Sequence, residues 1–161
     1  MKSTKVNLYK LLAVAMLPIF LGGCLNGLFD DGKITYDGPT QLEFVPLSQT
    51  VTIGAGETGS TSVNVQLIGE QRGQDLPVSF VVADTADQHT AVEGVHYTLS
   101  TTSVTIAANS SSASFEINLI GDNLEAGDSV QLVLDLQGNS DQNIEAAEEL
   151  KRYVLTIQGG G

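Results

Sequence analysis

The sequence has few cysteines, aromatic residues and basic residues, and each shortage excludes a class of structure. Cys24 is the single cysteine, so an intramolecular disulfide is excluded and the fold must rely on its hydrophobic core. Tryptophan is absent and aromatic residues make up 6% of the chain, which disfavours sugar-stacking sites. Seven basic residues stand against 19 acidic ones, for a net charge of −12. Nucleic-acid binding is excluded, because it requires clustered Lys and Arg.

The chain also lacks an apolar run long enough to span a bilayer. Residues 11–21 (LLAVAMLPIFL) are about half of the ~20 residues that a transmembrane helix needs, and Pro18 interrupts them. Three lysines precede this run and two glycines follow it, just before Cys24. A basic start, a short apolar core and small residues before a cleavage point are typical of a secretory signal peptide. We predict that residues 1–23 are this signal peptide.

The Leu-Gly-Gly-Cys at residues 21–24 resembles the lipobox of bacterial lipoproteins. That resemblance implies that the Cys24 thiol accepts a diacylglycerol and that cleavage just before it exposes a new, acylated N-terminus. Two or more acyl chains give stable anchoring where one gives marginal binding. The alternative is an ordinary signal peptide with an unmodified thiol. Cleavage removes three basic residues and no acidic one, so the net charge falls from −12 to −15.

Residues 24–39 are rich in Gly and Asp and show no sustained periodicity, which predicts a lipidated N-terminus and flexible tether. Asp30 and Asp31 resemble the acidic tract that directs some Gram-negative lipoproteins to the outer face of the outer membrane; a solvated spacer is the alternative. The predicted location is the cell envelope, at the outer membrane, facing the periplasm or the surface.

Residues 40–158 alternate apolar and polar side chains in short segments separated by turn residues. Period two places one set of side chains on a core face and the other toward solvent. This predicts an all-β, immunoglobulin-like two-sheet antiparallel sandwich of about 7–8 strands, followed by a glycine tail at residues 159–161. Residues 141–150 (DQNIEAAEEL) are compatible with a helix. Residues 50–67 and 103–119 echo each other, which suggests a shared hairpin design.

Three segments in order resemble Calx-beta domains. Residues 90–97 (TAVEGVHY) resemble the family's TA-x-x-G-x-DY corner. Residues 103–120 resemble the strand, small-residue turn and strand that follow. Residues 122–128 (DNLEAGD) resemble its acidic tip. The resemblance covers about residues 40–158 and implies an immunoglobulin-like sandwich without enzymatic activity. With His96 in place of Asp on a short lipoprotein, the chain resembles uncharacterised Calx-beta-like bacterial lipoproteins.

The resemblance also implies candidate calcium ligands. The positions that match the motif are Glu93, Asp122, Glu125 and Asp128. Ca²⁺ takes about 6–8 oxygen ligands, so several carboxylates must converge. Two departures remove negative charge, Asn123 at the second tip Asp and His96 at the Asp before the corner Tyr. The alternative is a turn at residues 122–123 with solvated acids, and no cofactor is then required.

We expect the corner residues Gly94, His96 and Tyr97 to have a structural role. We expect Tyr97 to be a buried anchor whose hydroxyl caps a backbone group, with His96 packed beside it. The spacing of His89 and His96 is not typical of a metal site, and the serines at residues 110–112 lack the context of a catalytic nucleophile. We therefore predict that the protein is not an enzyme.

Three functions remain open from the sequence. The first is an envelope lipoprotein, attached to the membrane by lipid on Cys24, whose sandwich is a structural or protein-interaction module. The second is a Ca²⁺-binding adhesion-type module. The third is a glycan-binding accessory lipoprotein. The partner is accordingly an envelope protein or a surface glycan, in addition to the membrane itself.

Overall fold

The computed structural model describes residues 36–161. The predicted signal peptide, the predicted lipidation site Cys24 and residues 24–35 of the predicted tether lie outside the described residues. Within the described part, no helix has the length and hydropathy needed to cross a membrane.

Residues 36–161 form ten β-strands and one turn of 3-10 helix. The first five strands are β1 (Gln41–Phe44), β2 (Ser48–Gly54), β3 (Thr58–Ile68), β4 (Leu76–Val82) and β5 (Tyr97–Leu99). The remaining five are β6 (Ser103–Ile106), β7 (Ser112–Ile120), β8 (Ser129–Leu136), β9 (Glu145–Ala146) and β10 (Arg152–Gly160). The 3-10 turn covers Ser140–Gln142.

The strands form two five-stranded sheets. The first has the order β5-β7-β3-β1-β9 and the second β2-β10-β8-β4-β6. Neighbours are antiparallel except β1 with β9 and β2 with β10, which are parallel. The predicted all-β, immunoglobulin-like sandwich is confirmed. The strand count of about 7–8 was low, because β5 and β9 have only three and two residues and carry little alternation.

The core lies between the sheets and comes from the alternating residues that the sequence pattern indicates. In β3 the buried residues are Val63, Val65 and Leu67, and the residues between them point outward. Phe80 and Phe115 stack across the two sheets with their ring centroids 4.1 Å apart. Burying such side chains contributes about 1.5–3 kcal/mol each. With no disulfide, this core carries the stability of the sandwich.

The two segments that echo each other in sequence are not hairpins. β2 lies in the second sheet and β3 in the first, and the same is true of β6 and β7. Each pair therefore crosses between the sheets, and β3 pairs with β7 at the centre of the first sheet. Alternation and a small-residue turn occur in both arrangements, so the sequence pattern could not distinguish them.

The last connection and the C-terminus also differ from expectation. The helix expected at residues 141–150 is wrong. Its residues form part of the 3-10 turn, which Asn139 caps by accepting a hydrogen bond from the Gln142 amide, and then β9, which pairs with β1. Asn143 has a left-handed conformation (φ 55°) that ends the turn. The predicted glycine tail begins too early, because β10 continues through Gly160.

The sandwich has two distinct ends, which β3 connects. The lower end consists of residues 36–40, 69–75, 107–111, 137–144 and 147–151. The upper end consists of the turn at 55–57, the loop at 83–96 and the loop at 121–128. β3 runs from Thr58 at the upper end to Ile68 at the lower end. Its ten steps of ~3.3 Å place the two ends about 33 Å apart.

Candidate functional site

The loop at 121–128 is the acidic tip that the sequence singles out, and its own backbone and side chains hold it. Leu124 is 3% exposed and fixes the loop to the core. The Glu125 amide donates to Asp128 Oδ2 at 3.2 Å, and the Asp128 amide donates to the Glu125 carbonyl oxygen at 3.0 Å. Asp122 lies in a turn, as the alternative to a calcium site expects, and it is exposed. Hydrogen bonds within the tip therefore contribute to its order.

Two glycines let the tip approach its neighbours closely. A Cβ atom at Gly121 would collide with the carbonyl oxygen of Gly54, and one at Gly159 would collide with that of Glu125. The Gly127 amide donates to the Gly159 carbonyl oxygen at 3.2 Å. Backbone thus packs directly against backbone, which only a residue without a side chain permits. The final glycines are structural components of the tip.

Glu57 is a member of this end that the sequence motif does not indicate. Its backbone carbonyl accepts a hydrogen bond from the Gly121 amide at 2.9 Å, and its carboxylate Oε2 accepts one from the Gly54 amide at 3.3 Å. Glu57 is far from the tip in sequence and lies in a plain small-residue turn. Only the crossing from β2 to β3 brings it beside the tip, so the motif alone gave no signal.

The predicted corner forms a tight turn that leads into β5. Gly94 has φ of 78°, the left-handed region that favours glycine. His96 Nδ1 accepts a hydrogen bond from the Val92 amide at 2.9 Å, and the His96 amide donates to the Val92 carbonyl oxygen at 2.9 Å. The same number of covalent bonds separates Cα from Nδ1 in histidine and from a carboxylate oxygen in aspartate. Histidine can therefore fill the role of an acceptor at the family's Asp position without adding charge.

Tyr97 is a buried anchor, 2% exposed, but its hydroxyl does not have the expected role. No hydrogen bond from this hydroxyl to a backbone group is found among residues 36–161. Burial raises the pKa of the Tyr97 hydroxyl, and the nearby carboxylates of Glu93 and Asp84 raise it further. The ring position is therefore as predicted, while the capping interaction is absent from the described part of the chain.

His89 is half-buried rather than freely exposed. Its Nδ1 accepts a hydrogen bond from the Val133 amide at 3.2 Å, and this bond ties the loop at 83–96 to β8. Both histidines thus act as acceptors for backbone amides. They hold the loops of the upper end in place.

The candidate calcium ligands share the upper end without forming a recognisable cluster. Glu93, Asp122, Glu125 and Asp128 are all exposed. Glu125 and Asp128 belong to one turn, while Glu93 lies in the corner loop. Within residues 36–161, no group of three or more His, Cys, Asp and Glu side chains is arranged to hold a metal ion. Calcium binding stays a prediction that needs a direct measurement.

Charge is distributed unevenly between the two ends. The loops of the upper end contain acidic residues and no Lys or Arg. All three basic residues of the described part belong to the lower end or to the first residue of β10. These acidic and basic residues are Glu57, Asp84, Asp87, Glu93, Asp122, Glu125 and Asp128 above, and Arg72, Lys151 and Arg152 below. The upper end therefore has a negative field with no internal counter-charge.

The lower end contains an open depression of about 550 Å³, bordered by the 3-10 turn and β9. Its titratable side chains are Glu145 and Glu148, and the rest of its lining includes Ser140, Asn143 and Ile144. Nucleophilic catalysis needs a hydroxyl or thiol beside a base. This lining provides two carboxylates and a serine, and it contains no imidazole or amine.

The chain is similar in fold to several solved structures. It matches CBD12 from CALX1.2 with a TM-score of 0.58 at 16% identity, covering 74% of this chain and 44% of that one. It matches a Bacteroides ovatus protein of unknown function with a TM-score of 0.55 at 16% identity, covering 73% and 44%. It also matches EndoBT-3987 of Bacteroides thetaiotamicron with a Man5GlcNAc product, with a TM-score of 0.54 at 16% identity, covering 73% and 30%.

These similarities establish a Calx-beta-like fold. The chain spans less than half of the length of each of the three structures. No protein-family model matches the sequence, and no curated protein is significantly similar to it.

Proposed function

We propose that this protein is a cell-envelope lipoprotein, anchored by lipid on Cys24, whose Calx-beta-like sandwich is a non-catalytic structural or protein-interaction module. The observation that carries this proposal is the Leu-Gly-Gly-Cys at residues 21–24, which follows a basic start and a short apolar run. The fold is compatible with it, because a sandwich with a continuous hydrophobic core can be stable without a disulfide. The proposed location is the outer membrane, facing the periplasm or the surface.

The position of Tyr36 gives the proposed anchor a consequence for presentation. Tyr36, the first described residue, belongs to the lower end, where its hydroxyl donates to the Pro39 carbonyl oxygen at 3.1 Å. A chain anchored at Cys24 reaches the sandwich at this end. The acidic upper end lies about 33 Å farther along β3. The proposed module would therefore be attached through its lower end, with the acidic upper end at the opposite end of β3.

Fractionation of the native host tests the anchor. The wild-type protein is expected in the membrane fraction, with a mature N-terminus at Cys24 and a mass increase from acyl chains. Cys24→Ser removes the acceptor thiol and should leave the membrane fraction while its thermal melt stays unchanged. Gly23→Ala, which keeps a small residue before the cleavage point, is the matched control and should be processed normally. Continued pelleting of Cys24→Ser with membranes would overturn the proposal.

A glycan-binding role is the weaker alternative. One similar structure contains a glycan product, but the present chain covers only 30% of it. Among residues 36–161, Tyr36 is the exposed aromatic side chain, 43% exposed, and one ring is a poor platform for stacking sugars. A glycan array with the purified protein would test the alternative directly, and saturable binding to a defined glycan would support it over a protein partner.

A further inference from the structure

Four strands lie at the edges of the two sheets, and β2 differs from the other three. β5, β6 and β9 have three, four and two residues, whereas β2 has seven. Natural sheets prevent unwanted pairing at their edges with short strands, charged side chains or proline. β2 reads Ser-Gln-Thr-Val-Thr-Ile-Gly, with no charged residue and no proline. It is the long edge without these protections.

The backbone of β2 is available along most of this edge. The parallel register pairs Val154 with Ser48, and the Val154 amide donates to the Leu47 carbonyl oxygen. In a parallel ladder, alternate residues bond to the partner strand. The backbone groups of Ser48, Thr50 and Thr52 therefore point away from β10. No strand within residues 36–161 pairs with that side, and the three side chains are exposed.

The two ends of this edge have opposite chemistry. At its lower end, Val45 and Leu47 are 38% and 37% exposed, unusual values for large apolar side chains in this molecule. At its upper end, the backbone of Gly54 is occupied by Glu57, whose carboxylate is held beside the strand by the 3.3 Å hydrogen bond. From its lower to its upper end, the edge therefore presents two exposed apolar side chains, then the uncharged main-chain groups of β2, and then the Glu57 carboxylate.

We propose that the outer edge of β2 binds an extended segment of a partner protein by β-strand addition. This proposal rests on the interaction-module function above and specifies its partner. The segment runs antiparallel to β2, because antiparallel pairs are slightly more stable. Its basic N-terminal residues lie beside Glu57, alternating residues pair with Ser48, Thr50 and Thr52, and its apolar C-terminal residues contact Val45 and Leu47. In strand addition of this kind, main-chain hydrogen bonds give the affinity and side-chain contacts give the specificity. Here those side-chain contacts lie at the two ends of the peptide.

A second copy of the chain fits this edge poorly. Two β2 strands that pair antiparallel would place Glu57 of each copy beside Leu47 of the other. A carboxylate would then face an apolar side chain at both ends. The full chain also has a net charge of −12, so two copies repel each other. Charge complementarity favours a basic partner segment.

A designed peptide tests the proposal on the lipidated full chain in detergent micelles. The probe alternates threonine and valine, with two lysines at its N-terminus and two leucines at its C-terminus. The first control peptide has the same sequence with N-methyl groups on the residues that would donate to β2. The second replaces the lysines with glutamates. Fluorescence anisotropy measures affinity, and amide hydrogen exchange of residues 48–54 locates the bound peptide.

Variants of the chain separate the contribution of main-chain hydrogen bonds to peptide affinity from the contribution of charge. Thr50→Pro removes one outward amide, at the kind of edge position where proline is tolerated; Thr50→Ala keeps that amide and is its control. Glu57→Gln removes the charge but keeps an acceptor for Gly54, and Glu116→Gln on the first sheet is its control. We expect Thr50→Pro to weaken binding of the lysine probe at least about tenfold, and Glu57→Gln about threefold.

Binding of the probe with slowed exchange of the Ser48, Thr50 and Thr52 amides, lost on N-methylation and weakened by glutamates, would support the proposal. The N-methylated peptide keeps the test valid if Thr50→Pro fails to fold. The proposal is overturned by any of three results. These are no saturable binding, equal binding to the N-methylated probe, and protection of the outward amides of Ser48, Thr50 and Thr52 before any peptide is added, which would mean that the chain's own residues or a second copy occupy the edge. None of these results bears on membrane anchoring, which the Cys24→Ser fractionation tests separately.

Discussion

The two ends of the sandwich organise charge in different ways. At the lower end, basic side chains meet carboxylates: Lys151 Nζ is 2.7 Å from Glu148 Oε2, and Arg152 forms two 2.8 Å hydrogen bonds with Asp135. At the upper end, acidic loops without Lys or Arg are held by backbone contacts and by His96. The upper end therefore keeps its shape without neutralising its charge. Packing and backbone geometry should control its stability, and charge should contribute little.

The largest effects are expected at the two buried tyrosines, one near each end. Tyr97 and Tyr153 are 2% and 0% exposed. Replacing either with Ala should lower the free energy of unfolding by about 3–5 kcal/mol, because a large cavity remains. Chemical denaturation measures this, and a loss under ~1 kcal/mol would contradict the burial. Phe variants sharpen the comparison. Tyr153→Phe loses the 3.0 Å bond to Gln49 and should cost about 1 kcal/mol, and Tyr97→Phe should cost less.

The next largest effect tests the backbone packing of the upper end. Gly121→Ala and Gly159→Ala each drive a Cβ into a carbonyl oxygen and should cost about 1–3 kcal/mol. Gly73→Ala, in a lower-end loop, is the matched control, because its Cβ would meet nothing within 4 Å. Its unfolding free energy should change by less than ~0.5 kcal/mol. Equal effects at the three glycines would remove the distinction between the ends.

Alkaline pH should destabilise the fold through both buried tyrosines, and most through Tyr153 in the lower half of the core. Burial raises the pKa of Tyr153 to about 12, above its ordinary value of about 10. Because the folded-state pKa is the higher one, the stabilisation is complete below pH ~10 and is lost as the pH rises toward ~12. The loss should be roughly 2 kcal/mol in denaturation curves across this window. Tyr153→Phe should flatten the dependence, and an unchanged profile in that variant would show that another group is responsible.

The sequence predicted the sandwich well because its strands alternate, and it failed where pairing is non-local. Val63, Val65 and Leu67 could be assigned to a core face from period two alone. The sheet to which β2 belongs could not be assigned in this way, because a crossing between sheets and a hairpin share the same turn residues. For the same reason the motif identified Glu125 and Asp128 but missed Glu57, which only the fold brings beside Gly121. The helix expected at residues 141–150 does not form, because Glu145 and Ala146 pair with β1 instead.

A smaller effect is expected at His96, which tests how the corner is held. His96→Ala removes the acceptor for the Val92 amide and should cost about 1 kcal/mol in unfolding free energy. His96→Asn places a side-chain oxygen at an equivalent distance from Cα and should recover most of that loss. If both variants lose the same amount, the contribution of the imidazole is its packing rather than its hydrogen bond.

The smallest effect is expected from the lower-end ion pair. The hydrogen bond from Arg152 lowers the pKa of Asp135 below its ordinary value, although partial burial opposes this. A lowered folded-state pKa means that the stabilisation is present above pH ~4 and is lost as the pH falls through the lower, folded value. The Arg152 side chain is 50% exposed, so water and salt screen the pair and Arg152→Ala should cost only about 0.5 kcal/mol. Denaturation at pH 7 and below pH 3 should show that the difference in unfolding free energy between wild type and variant shrinks as the pH falls.

Glu125 at the upper end has no basic partner in the described part of the chain, so we expect no such loss of stability in Glu125→Gln. If Glu125→Gln were as costly as Arg152→Ala, charge would be stabilising the upper end as well, and the contrast between the two ends would fail.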